Sequence, residues 1–282
     1  MNKRVTEEKI FKLLMILSIA IVLGSLMIIV GTIFMNGAFS VSIEMITQTS
    51  SGGYYLGRGG GILNAILGSL FLALPATGLA YIIGLGIALY LQRDFLHQKI
   101  ASLIRFSLDI LWGIPSIIYG VFCLMIMVAL GIGASLLAGI VALTLLEIPI
   151  ITRSIDESIK MVPKGLKEGS YSLGSTAFET ATKVVRKQAL PGIIAGVLLG
   201  LGRGIGDAAS ILFTAGFSDS VPSSLMDSTA ALPTMIYHLY SSPIPAVREK
   251  AYAAAFILIV IVTIISILSR GLTRRYRKYV IK

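Results

Sequence analysis

Arg203 and Asp207 are the residues in this chain best placed to do chemistry, because they stand where charge is costly. They sit inside LPGIIAGVLLGLGRGIGDAASILFTAG, residues 190–216, an apolar run long enough to cross a bilayer. A helix through this run puts the two charges at i and i+4, on one face. Arg203 then lies roughly 18 Å along the axis from Pro191, near the middle of a hydrocarbon core about 30 Å thick. An ionisable group at that depth costs at least ~2.5 kcal/mol and normally faces protein or an aqueous path. Arg203 carries a permanent charge on a planar fork that matches the oxygens of an oxyanion. A fixed cation also lowers the barrier to moving an anion through low dielectric. Asp207 would pair with Arg203 when the path is empty. It would accept a hydrogen bond from a protonated oxyanion and repel a fully ionised one. The same pair also reads as a buried structural ion pair linking helices.

The elements that must hold these residues are transmembrane helices. The chain has 282 residues, of which 55% are hydrophobic and 13% charged, with a mean hydropathy of +0.87. Soluble domains carry about 25% charged residues. The long apolar runs point to an all-α, polytopic membrane helix bundle. A membrane β-barrel would instead show short alternating segments. Hydropathy and helix breakers predict six spans, at residues 11–35, 62–91, 106–130, 132–151, 192–216 and 251–268. The first span exceeds the 7–15 apolar residues of a signal peptide and reads as a retained helix. The third and fourth meet at Gly131–Gly133, which requires a very short turn. Residues 1–61 divide off as the first span with its outer loop, and 62–282 as a core of five spans.

Lysine and arginine set the orientation. Four lie at the N-terminus (Lys3, Arg4, Lys9 and Lys12), three in residues 92–105, seven in 152–190 and six from Arg270 onward. The opposite loops hold Arg58, Arg248 and Lys250. The richer side is the cytoplasm, and both termini lie there. The basic tail with Arg274, Arg275, Arg277 and Lys278 abuts a span, where anionic lipid rather than nucleic acid is the natural partner.

Smaller features carry less. Gly192, Gly196, Gly200 and Gly204 recur every four residues and let a helix approach closely, within the bundle or against a second subunit. Pro75 and Pro149 fall inside spans, where proline kinks a helix. Glu147 reads as an interfacial carboxylate or part of a cytoplasmic gate, and Asp109 as an acid at a helix start. His97 and His238 are far apart and Cys123 is single, so no metal site or intramolecular disulfide is expected. The stretch SGGYYLGRGGG at residues 51–61 lacks the ending of a P-loop and reads as a flexible approach to the next span. No constellation of catalytic residues is present, so chemistry within the chain is not expected.

The segment 152–190 is too short for a domain and too amphipathic for a linker. Pro163 starts a helix, Leu166, Tyr171, Leu173 and Phe178 supply apolar positions, and Gly169 and Gly174 divide it into short pieces. Such a helix fits a groove on a soluble partner or lies on lipid headgroups.

Glu168, Gly169, Ser170 and Gly174, followed by Leu190, Pro191 and Gly192, resemble the Glu-Ala-Ala loop of ABC importer permeases. Gly169 and Ser170 stand where that family has two alanines, and Arg186 and Lys187 where it has a second Leu-Pro pair. Four further stretches narrow the resemblance: residues 59–91, GIPSIIYG at 113–120, LEIPIITRSIDESI at 146–159, and GLGRGIGDAASILFTAG at 200–216. Together they resemble the permease of the phosphate-specific ABC importer over nearly the whole chain. LPTMIYHL at 232–239 and the short N-terminal region are more similar to its A-type subunit than to its C-type one.

The resemblance implies a type I importer fold in a prokaryotic inner membrane. It implies a homologous second permease subunit, two copies of a cytoplasmic ATPase, and an extracytoplasmic phosphate-binding protein. ATP and Mg would be held by the ATPase, with no cofactor in this chain. Residues 164–178 would form the coupling helix, with Glu168, Gly169, Ser170, Tyr171, Gly174 and Phe178 at the ATPase. Arg203 matches an arginine tied to transport. Asp207 stands where the family usually has glutamate, and Glu147 where it usually has an apolar residue. Other readings are a permease for sulfate or molybdate, an ion-gradient-driven transporter with Asp207 as proton site, and a membrane scaffold or sensor.

Overall fold

The computed structural model describes residues 3–50 and 59–277; within them the regular structure is helical, joined by turns and irregular segments, with one isolated bridge between Ser50 and Gly60. Residues 51–58, which make up most of the glycine-rich stretch and include Arg58, lie outside the described residues, as do Lys278 and the residues after it. The helices are α1 (Lys3–Gly37), α2 (Ile43–Thr47), α3 (Leu63–Tyr90), α4 (Gln98–Gly113), α5 (Ser116–Ala129), α6 (Leu136–Lys160), α7 (Lys164–Ser172), α8 (Ala177–Glu179), α9 (Arg186–Gln188), α10 (Leu190–Gly206), α11 (Leu232–Tyr240) and α12 (Pro245–Arg277). A π-helical turn at Thr180–Val185 joins α8 to α9.

Among the described residues, α1, α3, α6 and α12 are each long and apolar enough to cross a membrane. Two bent pairs also qualify: α4 with α5, at 96°, and α8–α9 with α10, at 73°. Counting each pair as one span gives six. The third predicted span is therefore no straight rod. Pro115 disfavours helical geometry at the residue before it, and Ile114 is extended, with φ −70° and ψ 131°. The Tyr119 hydroxyl closes the corner by donating to the Leu111 carbonyl at 2.8 Å.

The fourth span is displaced from its predicted place. Residues 130–135 form the turn, and α6 starts only after Ser135, whose hydroxyl caps the Ala138 N–H. It then continues past Ile151 into the charged residues up to Lys160. Helices α3 and α6 both run on through Pro75 and Pro149.

Helix α6 is the axis of the bundle. Ala80, Ala88, Ile151, Ile155, Ile159, Val185 and Ile193 pack at one end, joining α3, α6 and the start of α10. Ile62, Ala65, Leu232, Leu239, Val247 and Ala251 pack at the other, joining the starts of α3 and α12 to α11. Helix α1 leans on α12 through Phe34 against Phe256, ring centroids 5.3 Å apart, and its remaining apolar surface is exposed.

Candidate functional site

The glycine stripe of α10 lies on α6. A methyl at Gly192 would meet Ser158, at Gly196 Ser154, at Gly200 Ile151, and at Gly204 Glu147. Positions 147, 151, 154 and 158 form one face of α6 at helical spacing, so the two helices run antiparallel with backbones in close approach. The stripe thus serves packing within this chain. Ser154 and Ser158 are small for the same reason, and their spacing against the glycines was the signal in the sequence for this contact.

Arg203 and Asp207 do not share a helix face. Helix α10 stops at Gly206, and Asp207 is extended, with φ −82° and ψ 119°. Gly202, Gly204 and Gly206 weaken the last turns. The Asp207 carboxylate accepts from the Ser210 N–H at 2.8 Å and from the Ser210 hydroxyl, a local bond that competes with helix. Among the described residues no ion pair joins Arg203 to Asp207.

The predicted fifth span ran to Gly216, but helix α10 ends ten residues earlier, at Gly206. Residues 207–231 are non-helical; their two ends are interior, with Ser210, Thr214, Thr229 and Ala230 buried, while Ser223–Met226 between them are exposed. Irregular backbone at membrane depth needs partners from protein. Here the Thr214 carbonyl accepts from Ser135, the Asp227 carbonyl from Leu136, and the Ala215 carbonyl from Thr229, each at 2.8 Å. The Asn64 amide donates to the Ser218 carbonyl at 2.7 Å, and the Ser69 hydroxyl accepts from the Leu232 N–H at 2.8 Å. Hydropathy missed this loop because SILFTAGF is as apolar as a span.

Arg203 is exposed in the isolated chain and lines an open cavity of about 620 Å³ with Trp112 at the α4 corner, Ser154 and Ile150 of α6, and residues of α12. The cavity has few polar groups besides arginine and serine.

Glu147 is neither interfacial nor near the charged cytoplasmic end. It lies mid-helix in α6, 0% exposed, with no hydrogen-bond partner for either carboxylate oxygen among the described residues. It sits against Gly200 and Gly204, on the side of α10 away from the cavity. The late start of α6 puts it there.

A different carboxylate organises the cytoplasmic end. Asp156, 0% exposed, binds Arg105 through two bonds, at 2.8 and 2.9 Å, and Lys160 at 2.9 Å. Arg105 also donates to the Leu91 carbonyl at 3.0 Å, joining the end of α3 to α4 and α6. Asp109, expected at a helix start, lies late in α4 and bonds Arg153 at 2.6 Å. Asp156 is one of several charged residues in its stretch of sequence and does not stand out by type or spacing. Its place on the apolar face of α6 beside Ile155 and Ile159 was the available signal.

The coupling segment folds as two pieces. Gly169 lies inside α7, so it does not divide the helix as expected. Gly174 does: its φ of +81° is left-handed backbone that disfavours other residues. The Ser170 and Thr180 hydroxyls, 2.9 Å apart and buried, tie α7 to the π-helical turn. A capping box between Thr176 and Glu179 starts the second piece. Glu168 and Tyr171 are exposed on α7. Leu173 and Phe178 are 88% and 69% exposed, so they anchor nothing in this chain. The His97 ring nitrogen accepts from the Lys99 N–H as the cap of α4, His238 packs edge-on to Phe217, and Cys123 is buried.

Comparison with known proteins places this arrangement. Residues 80–278 match the family described as binding-protein-dependent transport system inner membrane component. The probable ABC transporter permease protein YqgI of Bacillus subtilis is 29% identical over 294 residues, 99% of each chain. The phosphate transport system permease protein PstA of Haemophilus influenzae is 32% identical over 267 residues, 95% of this chain and 94% of the relative. Among solved structures, a chain of a bacterial alginate ABC transporter superposes with a TM-score of 0.67 at 14% identity, covering 98% of both chains. A chain of the inward-facing MetNI methionine ABC transporter gives 0.61 at 22% identity, over 76% of this chain and 95% of that one. These two likenesses show the fold, that of ABC importer permeases. The chain belongs to the family of binding-protein-dependent transport system inner membrane components and is a multi-pass membrane protein.

Proposed function

We propose that this chain is the permease subunit of an ATP-driven importer that moves inorganic phosphate into the cytoplasm. The observation that carries the reading is Arg203, an exposed guanidinium that forms no ion pair among the described residues, on a cavity beside the deep end of α10. Relatives named as phosphate transport permeases at 32–35% identity support the substrate. A permanent cation in low dielectric attracts an oxyanion strongly, and release requires that no further donors cage it.

In this reading the chain pairs with a homologous permease and receives phosphate from an extracytoplasmic binding protein. The permease pair binds two ATPase copies, which hold ATP and Mg; one of them seats on α7 and α8 of this chain through Glu168, Tyr171, Leu173 and Phe178. Both termini lie in the cytoplasm with the basic loops. Asp207, held by Ser210, sets the potential beside the path and discriminates between protonated and fully ionised oxyanions.

The test is radiolabelled phosphate uptake by proteoliposomes holding the whole complex. Uptake that needs ATP, the ATPase and the binding protein, and that is lost in Arg203→Gln, is expected. Uptake driven by an ion gradient with this chain alone, or a preference for sulfate or molybdate, would overturn it.

A further inference from the structure

The cavity that Arg203 borders holds a second guanidinium, Arg270 of α12. In the sequence Arg270 counts only as the first cation of a cytoplasmic tail. The fold gives it another neighbourhood. Positions 195, 198, 199, 202 and 203 of α10 and 262, 265, 266, 269 and 270 of α12 line the cavity. Each set recurs at i, i+3, i+4, i+7 and i+8, the single-face spacing of a helix.

The two stripes run in opposite directions. The start of α10 packs with Ala88, Ile159 and Val185, whereas the start of α12 packs with Ile62 and Ala65 at the far end of α3. Position 203 therefore faces the 262 end of the α12 stripe, and position 270 faces the 195 end. Eight residues of helix span ~12 Å. Arg203 stands at the deep end of the cavity and Arg270 at the end toward the coupling segment. Three hydroxyls, of Ser154, Ser266 and Ser269, line the wall with them, together with Trp112 and aliphatic side chains. Among the described residues neither arginine forms an ion pair.

We propose that Arg270 is a second oxyanion-binding station, which receives the substrate from Arg203 on its way to the cytoplasm. The proposal rests on the phosphate reading above. One deep cation in low dielectric would hold an oxyanion too long. Conduction is faster when binding is shared between adjacent weak sites. A second guanidinium about two helical turns away, reached along serine hydroxyls, supplies such a site. Topology does not need Arg270, because Arg274 and Arg275 follow it.

The same guanidinium chemistry would also take the phosphate of an anionic lipid headgroup, and the experiment separates the two. Phosphate uptake is measured with the assembled complex in vesicles of purely zwitterionic lipid and in vesicles with anionic lipid. Arg270→Gln is expected to lower the maximal rate about tenfold with KM little changed, the pattern of a late step. Arg270→Lys should recover much of that rate, and Arg274→Gln should match the native complex. The same loss in both vesicle types supports the station. A loss confined to anionic vesicles overturns it in favour of a lipid site.

A native rate for Arg270→Gln alongside a dead Arg203→Gln overturns the station and leaves the phosphate reading intact. Absence of phosphate uptake by the native complex overturns that reading and the station with it. If Arg270→Gln does not assemble, Ser269→Leu keeps both charges and narrows the gap between them. Slowed uptake then supports the route, and a native rate overturns it.

Discussion

The carboxyl group of Glu147 lies against the backbone of Gly204, one residue from Arg203 and about 100° round α10 from it. Helix α10 therefore meets, on one face, a buried acid inside the bundle with no hydrogen-bond partner among the described residues and presents, on the neighbouring face, a guanidinium to the cavity. The closeness depends on glycine. Any side chain at 204 would collide with Glu147, and one at 200 would meet Ile151 Cδ1 at 2.7 Å.

Gly200→Ala should destabilise the assembly by about 1–3 kcal/mol, the range for overpacking a close contact. Gly202→Ala, where a methyl meets nothing within 4 Å, should be neutral or slightly stabilising. Thermal melting of the detergent-solubilised complex compares the two. Equal melting would contradict the packing of α10 on α6.

Glu147→Gln should leave melting unchanged or raise it. Neither carboxyl oxygen finds a donor among the described residues, and glutamine keeps the shape of the side chain while removing any chance of an unpaired buried charge. A clear drop in melting temperature would mean that the acid gains a partner in the full assembly.

Arg105→Gln should be costly, by about 3 kcal/mol. It removes two bonds to the fully buried Asp156 and one to the Leu91 carbonyl. Lys160 remains at 2.9 Å and compensates in part. Asp109→Asn breaks a pair at a half-exposed carboxylate and should shift melting by under about 1 kcal/mol. The ratio of the two effects is the measurement.

Leu173→Ala and Phe178→Ala should not affect folding, since both side chains project outward. Both should weaken copurification of the ATPase, and Glu168→Arg should uncouple ATP hydrolysis from transport in a protein that still inserts. Native ATPase retention in the double alanine variant would remove the coupling assignment.

The loop carboxylate of Asp227 accepts from the Ser223 hydroxyl and from the Ser223 and Ser224 N–H groups, each at 2.8 Å. These bonds hold its pKa below the usual carboxylate range, with the Ser223 hydroxyl as the largest cause. A carboxylate depressed in the folded state adds stability above its unfolded pKa and loses it as pH falls through the folded value. Asp227→Asn should therefore lower melting near neutral pH, and the gap to the native protein should shrink in acid. A gap independent of pH would rule out the ionic contribution.

Hydropathy and charge in the sequence alone established an all-helical membrane bundle, the extents of α1 and α3, and the stretch that projects as α7. These follow from local quantities: apolar length, lysine and arginine bias, and glycine and proline positions. Gly174 and the four glycines of α10 were legible in the same way, whereas Glu168 was marked only by the resemblance of its loop to that of a known family. The relation between Arg203 and Asp207 was not, because hydropathy cannot tell a helix from an apolar loop whose backbone is satisfied by other segments. Only the tertiary structure ended α10 at Gly206, tucked both ends of the 207–231 loop into the bundle, and turned Asp207 onto Ser210. It also carried Glu147 into the bundle, matched Asp156 to Arg105, and set Arg270 on the cavity of Arg203. Each of these depends on which surfaces meet across long sequence separations, and that is decided by packing between helices.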